Sequence, residues 1–360
     1  MYAQQPLVES TFRLALRGYL RNAAPRLRCL LLALLLVASS RAMADEGVEV
    51  MSCLGWADSV RLSNDDVEIV VAPSVGRIIY YGWKGGANFL WHDSGLEGHT
   101  GALADGAWAN VGGDKTWPWP VEPYWPPASG NTKQEQDPPH EWERQPHRVE
   151  VIGPRAIRMT SAVWEDQGLR VVRDIRLEES GSRVTIETVF ERANGEGPAI
   201  PVVPWSVTQM LCPEAVLVDY QPGYPRPYGL LLGHSWSSLL EINDDLLWLP
   251  SPGGVSKIGV SGRALGWWRG DALIVQRLRS PDADDANGWK PYEQAQIFWN
   301  EYPGEDVSPY VELEFTGPLD ANNQGVTPPL IVTWEIVRLS SDRPRMDEVV
   351  NRFRQTISLP

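Results

Sequence analysis

The sequence predicts an all-β chain, a large two-sheet antiparallel sandwich with one C-terminal helix. Three observations predict it. Short runs rich in β-branched and aromatic residues recur, separated by Gly, Pro, Asn and Asp. Several of these runs alternate apolar with charged positions, the period of a strand with one wet face and one buried face. Only the last segment carries a helical stripe, and no low-complexity linker or repeat divides the chain. A chain of 360 residues is long for one core, yet all-β sandwiches reach this length as one domain.

Residues 1–44 read as an address rather than as fold. Arg21, Arg26 and Arg28 precede the apolar run from Leu30 to Ala38, and Ala42-Met43-Ala44 matches the small-x-small pattern of signal-peptide cleavage. The run is too short for a membrane span, and no cysteine stands at the cleavage point to carry a lipid. The mature protein is expected to begin at Asp45 as one domain over 45–360, periplasmic or secreted, monomeric and not inserted in a membrane. An uncleaved amphipathic leader is the alternative.

Six arginines and Glu9 leave with the leader, so the remainder carries 26 basic against 45 acidic side chains. Nucleic acid is then excluded as an expected partner, because phosphate binding needs a basic face. Cys53 and Cys212 remain, in a compartment where a disulfide persists; a single bridge and two separate buried thiols are both open. Their spacing does not suggest zinc, and neither metal nor cofactor is expected.

Val67 to Val71 follows the turn signal Ser63-Asn64-Asp65-Asp66, and Arg77 to Tyr81 follows Gly76, which predicts a hairpin. Val149 to Ile152, Ala156 to Ser161, Leu169 to Leu177 and Arg183 to Glu191 predict an antiparallel meander. Further strands are expected at 215–220, 246–249, 257–260, 272–278, 295–300, 310–315 and 330–339. For the terminal helix, Asp342 is the expected cap and Pro344 the first turn, with Met346, Val349, Val350 and Phe353 as the apolar stripe.

Between hairpin and meander lies Gly112-Gly113-Asp114-Lys115-Thr116-Trp117-Pro118-Trp119-Pro120, read as a loop. Glycines allow close backbone approach, prolines stiffen the exit, and exposed indoles suit the C–H face of a sugar or a cation. Tyr124-Trp125-Pro126-Pro127 and the Trp142 region continue the aromatic character. A rigid core-capping loop is the competing reading.

The stretch from Leu62 to Ile78, with Asn88-Phe89-Leu90-Trp91 behind it, resembles the start of galactose-mutarotase-like (aldose 1-epimerase-like) proteins. The segments Gly112 to Pro118 and Val311 to Leu319 are similar to a bacterial branch of that superfamily labelled a domain of unknown function. The resemblance implies a β-supersandwich with a carbohydrate-facing concave sheet. It also implies a carboxylate from the late strand, which points to Glu312 first and Glu314 next, on one face because they are two apart. Anomer exchange needs a base for the anomeric hydroxyl and an acid for the ring oxygen. The strand that supplies a histidine in active epimerases corresponds to Val203-Pro204-Trp205-Ser206-Val207-Thr208-Gln209, which has none. Lys115 replaces that acid only if burial lowers its pKa. Arg77, Asp114, Trp117, Trp119, Trp205, Gln209 and Glu314 are the expected ligand-facing set.

His92, His99, His140, His147 and His234 read more readily as surface or satisfied polar residues than as catalysts. The segment 281–288 has the alternating acids of a calcium loop but lacks its distal glutamate, so an acidic turn is expected. Trp267, Trp268 and Trp289 read as core before stacking surface. Ser256 and Ser261 lack the glycines of a nucleophile elbow. The expected function is an exported protein that binds a mono- or oligosaccharide on a tryptophan-lined face. The alternatives are an epimerase with Glu312 as base, and a structural envelope protein without a ligand.

Overall fold

Side-chain alternation sorts each strand into two faces, and in the computed structural model this sorting builds two ten-stranded antiparallel sheets. The structure describes residues 47–101, 108–120, 138–195, 197–220, 228–233, 240–242, 245–279, 292–301, 308–318 and 324–358. The sheets belong to the unit Val48–Pro360. With strands numbered in chain order, the first sheet begins with the meander β1 (Val48–Cys53), β2 (Trp56–Ser63), β3 (Val67–Ala72) and β4 (Arg77–Trp83). It continues through β5 (Asp114–Trp119), β10 (Val203–Leu211), β19 (Tyr310–Thr316), β18 (Ala295–Asn300), β15 (Ser256–Val260) and β12 (Gly229–Gly233). The second sheet runs β13 (Leu240–Ile242), β14 (Leu246–Leu249), β11 (Ala215–Asp219), β16 (Ala264–Arg269), β17 (Ala272–Leu278) and β20 (Leu330–Arg338). It ends with β9 (Val184–Arg192), β8 (Leu169–Leu177), β7 (Ala156–Thr160) and β6 (Arg148–Gly153).

The expected hairpin is β3–β4 and the expected meander is β6 to β9. Along β9, Val184, Ile186, Thr188 and Phe190 are buried while the residues between them are half-buried, the predicted period of two. The inward faces meet in one core. Leu62, Ile69, Ile78, Leu313 and Phe315 come from the first sheet; Ile175, Ile186, Val216, Trp267 and Trp334 come from the second. Trp268 points to the opposite face of its strand and joins a separate cluster, so both members of the indole pair are core.

The terminal helix packs on that second cluster through Val349, Val350 and Phe353 against Leu217, Trp268, Leu273 and Val275. Gly266 makes room for it, since a Cβ there would stand 2.8 Å from the Phe353 ring. This helix spans Met346–Ser358, four turns at most, so the expected cap and first turn are corrected: Asp342 and Pro344 precede it. The start is tied instead by Ser340, whose N–H and hydroxyl both donate to Glu348 at 2.8 Å. Met346 is exposed rather than part of the stripe.

One more expectation is corrected, and one open alternative is decided. Asp114–Trp119 is a strand, paired with β10 on one side and touching β4 on the other. Its prolines fit because Pro118 faces Pro204, a pair in which neither residue has an N–H to donate. The glycines before it serve close approach: a Cβ on Gly112 would lie 2.4 Å from the Trp91 carbonyl, and one on Gly113 2.3 Å from that of Ile78. Cys53 and Cys212 are free thiols. Cys53 packs with Trp56 and Val70 and Cys212 against the inter-sheet core, which separates them into different clusters. Burial pushes both thiols up, Cys212 to about 11. Among the described residues no helix is long and apolar enough to cross a membrane. The leader, residues 121–137, His234, the 281–288 segment, Trp289 and Leu319 lie outside the described residues.

Candidate functional site

Strands β5, β10 and β19 lie side by side, and their registers decide which side chains share a face. Val207 stands between Lys115 and Glu314, Trp205 faces Trp117, and Gln209 faces Glu312. Since alternate residues share a face, Lys115, Trp117 and Trp119 of β5, Trp205 and Gln209 of β10, and Glu312 and Glu314 of β19 form one surface. This surface lies opposite the core-facing Val311, Leu313 and Phe315. The β18 strand adds Gln296, directly across from Glu314, and β15 adds Lys257.

The charged groups on this face are buried and paired. Lys115 is 1% exposed, and its Nζ lies 3.6 Å from Glu312 Oε1. The same ammonium sits 4.5 Å over the Trp117 ring and 5.4 Å from that of Trp108. Burial pulls Lys115 down to about 8, against the Glu312 charge, which holds it up. Gln209 Nε2 donates to Glu312 Oε1 at 3.0 Å, which fixes the orientation of the amide. Glu314 Oε2 accepts from Lys257 Nζ at 2.8 Å and from Trp205 Nε1 at 2.9 Å. Lys257 also stands 4.8 Å over the Trp205 ring. The indoles pack edge to face, with Trp205 5.7 Å from Trp117 and 5.3 Å from Trp119. Three buried acceptors on this face, Gln209 Oε1, Gln296 Oε1 and Glu314 Oε1, have no donor among the described residues.

Beside Lys115 lies a second polar group that supports the first. Glu143, from the short helix His140–Glu143, accepts from Trp117 Nε1 at 2.7 Å, from Trp108 Nε1 at 2.9 Å and from Arg77. Burial alone would raise its carboxyl, but Arg77, Lys115 and the two indole N–H groups hold it below the ordinary range. Arg77 is 1% exposed and also donates to the Gly112 carbonyl at 2.8 Å. Its expected role as a ligand residue becomes that of a clamp between the glycine turn and Glu143.

Asp114 departs from expectation more sharply. It points to the opposite face from Lys115, into the sandwich, and pairs with Arg173 of β8 in the other sheet. Its second oxygen accepts from Thr208 at 2.8 Å and Ser206 at 3.2 Å. With no exposed surface it is a structural ion pair rather than a ligand contact. Trp117 is also corrected in part, because its indole N–H is committed to Glu143 and its ring packs on the cluster of Trp142 and Phe190. Trp119 is half-buried, with Nε1 donating to Glu293 at 3.3 Å.

The described histidines have partners of their own. His92 bonds Glu97 at 3.0 Å. The His99 carbonyl accepts from Trp56 Nε1 at 2.8 Å. His147 is buried under Arg77 and Glu143, bonds the Trp142 carbonyl at 3.0 Å, and is pushed down to about 4 by burial. Trp108, Glu143, Lys257 and Gln296 are the members of the site that sequence analysis did not find. Among the described residues, no group of three or more His, Cys, Asp or Glu is placed to hold a metal ion.

The Glu314 carboxyl gives a signed pH dependence. Burial raises it to about 7, with Lys257 opposing and Glu312 adding to the rise. Between pH 4.5 and about 7 the folded chain keeps this proton while the unfolded chain has released it. The group's contribution is therefore complete below that window and is lost as pH rises through it. Glu314→Gln has no such proton, so its stability relative to the parent should climb by about 1–3 kcal/mol from pH 4.5 to 7.5. Urea midpoints across that range measure it; a difference independent of pH would contradict the assignment.

The sequence matches no protein-family model and no curated protein. Solved structures do resemble the fold. The Slr1438 protein from Synechocystis sp. PCC 6803 aligns with a TM-score of 0.50 and 12% identity, over 79% of this chain and 96% of that one. A galactose mutarotase-like protein from Lactobacillus casei ATCC 334 gives 0.46 and 12%, over 78% of this chain and 100% of that one. A TPR-domain containing protein from Parabacteroides distasonis ATCC 8503 gives 0.47 and 14%, over 80% of this chain and 47% of that one. This chain thus spans about half the length of that last protein. The structural neighbours of this two-sheet fold include galactose mutarotase-like proteins and a putative aldose 1-epimerase, at low identity.

Proposed function

We propose that this protein is exported and binds a mono- or oligosaccharide, as a monomer, on the face formed by β5, β10 and β19. The observation that carries the reading is the row of buried acceptors without donors, Gln209 Oε1, Gln296 Oε1 and Glu314 Oε1, beside the indoles of Trp119 and Trp205. An unsatisfied buried acceptor costs about 1–3 kcal/mol, and sugar hydroxyls are donors that recover part of that cost. The flat indoles suit the apolar face of a pyranose. The Lys115–Glu312 and Lys257–Glu314 pairs leave the face near neutral, which suits an uncharged ligand.

Trp119 tests this most cleanly, because Trp117 is also a structural anchor. Trp119→Ala should weaken saccharide binding by about 1–3 kcal/mol in calorimetry while the melting temperature stays close to the parent. A full saccharide panel with no heat of binding to the parent protein would sink the proposal. Export has its own measurement: intact mass of the exported chain should begin at or near Asp45.

One observation favours a second reading, an epimerase of the aldose 1-epimerase type. The Lys115 ammonium and the Glu312 carboxylate lie 3.6 Å apart, and burial brings the lysine to about 8, within range of an acid that works near neutrality. Glu312 would take the anomeric proton and Lys115 would protonate the ring oxygen. Glu312→Gln then abolishes anomer exchange but keeps binding. A pure binding protein has no exchange rate above the uncatalysed one for that substitution to remove.

A further inference from the structure

We propose that Lys115 is a carbonyl-reactive amine, whose Nζ condenses with the aldehyde carbon of a ring-opened aldose to form an imine. The inference rests on the saccharide reading of this face for its substrate, and on the surroundings of Nζ for its chemistry. A lysine that only balanced charge would meet its carboxylate at hydrogen-bond distance, as Lys257 meets Glu314 at 2.8 Å. Lys115 stands off from Glu312 at 3.6 Å, against the Trp117 and Trp108 rings, which pack edge to face on each other. That leaves the nitrogen buried against indoles with a carboxylate beside it to move protons, and desolvation of this kind turns a lysine into a nucleophile. The cluster borders solvent along the half-buried Trp108, Trp117 and Glu312, whose side chain is 13% exposed.

The groups facing Nζ are Glu312 of β19, Glu314 of the same strand, Arg77 of β4 and Glu143 of the short helix. Burial outweighs the three carboxyls, and with Lys115 near 8 about one molecule in five carries the free amine at pH 7.4, against about one in a thousand for an ordinary lysine. The free amine attacks the aldehyde carbon, and the carbonyl π pair moves to oxygen. Glu312 takes a proton from the nitrogen and passes it to the oxygen, giving a carbinolamine. The nitrogen lone pair then forms the C=N bond as hydroxide leaves, and Glu312 carries the remaining N–H proton to that hydroxide. The products are the imine and one water, with no change in oxidation state.

The chain contains only five lysines, Lys84, Lys115, Lys133, Lys257 and Lys290, so the modified site can be mapped directly. The protein is incubated with D-galactose, and separately with glyceraldehyde, in the presence of cyanoborohydride, which reduces an imine to a stable secondary amine. Peptide mass mapping should place the adduct on Lys115 at least tenfold above each other lysine. Its yield should rise with pH and level off above 8, and Glu312→Gln, which removes the charge that holds Lys115 up and the proton carrier, should move that rise to lower pH and lower the labelling rate at the plateau while leaving Lys84 unchanged. Equal labelling of all five lysines, or none at Lys115, overturns the proposal. If galactose binds by calorimetry yet Lys115 stays unlabelled, the inference fails and the saccharide reading stands. If no saccharide binds but glyceraldehyde labels Lys115 selectively, the amine assignment holds and the saccharide reading fails.

Discussion

Asp114→Ala should destabilise the fold by about 3–5 kcal/mol, because it strands the Arg173 guanidinium between the two sheets. Both side chains are essentially inaccessible, at 0% and 1% exposure. Arg173 reaches across from the second sheet to a carboxylate in the first, and Asp114 is in turn held by Thr208 and Ser206 of the neighbouring strand. Removing the carboxylate leaves a buried cation with no counter-charge in contact, and two hydroxyls without their acceptor. Desolvation of the arginine is then uncompensated, and the structure can relieve it only by opening a path for water. The same logic predicts a rescue: Asp114→Ala combined with Arg173→Met should be more stable than Asp114→Ala alone, since the double change removes both charges and leaves an apolar side chain in an apolar place. Denaturant midpoints of the parent, the two single variants and the double variant close the cycle. Equal stability of Asp114→Ala and the parent would mean the pair contributes nothing to holding the sheets together.

That pair also shows where sequence analysis stopped. Lys115 and Asp114 are adjacent, so in a strand they must point to opposite faces. Reading Gly112 to Pro120 as a loop removed this constraint and let both be assigned to the ligand. The glycines and prolines that suggested a loop are explained by contacts no local pattern reveals: Gly112 and Gly113 lie against the carbonyls of Trp91 and Ile78, and Pro118 faces Pro204. Where alternation was strong, as in β8 and β9, strands were legible almost to the residue, and so was β17, a short apolar run buried at every position. Where burial follows no simple alternation, as in β1 and β2, they were not found. The site divides in the same way. Glu312 and Glu314 could be put on one face by their spacing alone, whereas Glu143 comes from a four-residue helix, and only the tertiary fold brings it near Lys115.

Glu143→Ala should cost about 3–5 kcal/mol of stability and should also abolish ligand binding at the candidate site. The first effect follows from Arg77, which is 1% exposed and would keep only the Gly112 carbonyl as a partner. The second follows from the indoles. Glu143 fixes Trp117 through Oε1 and Trp108 through Oε2, and the Lys115 ammonium rests against both of these rings. Without the carboxylate both N–H groups lose their acceptor, the rings are released to other rotamers, and Lys115 loses one of the charges that hold its pKa up. Affinity should therefore fall further than for Trp119→Ala, although Glu143 is only 3% exposed. Glu143→Gln separates charge from shape. Its amide oxygen can still accept from one indole, but its NH2 group faces a donor, so it should fall between parent and Ala in both midpoint and affinity. Calorimetry well below each variant's unfolding transition keeps the two effects apart. A folded Glu143→Ala variant with parental affinity would show that the clamp supports the fold without shaping the site.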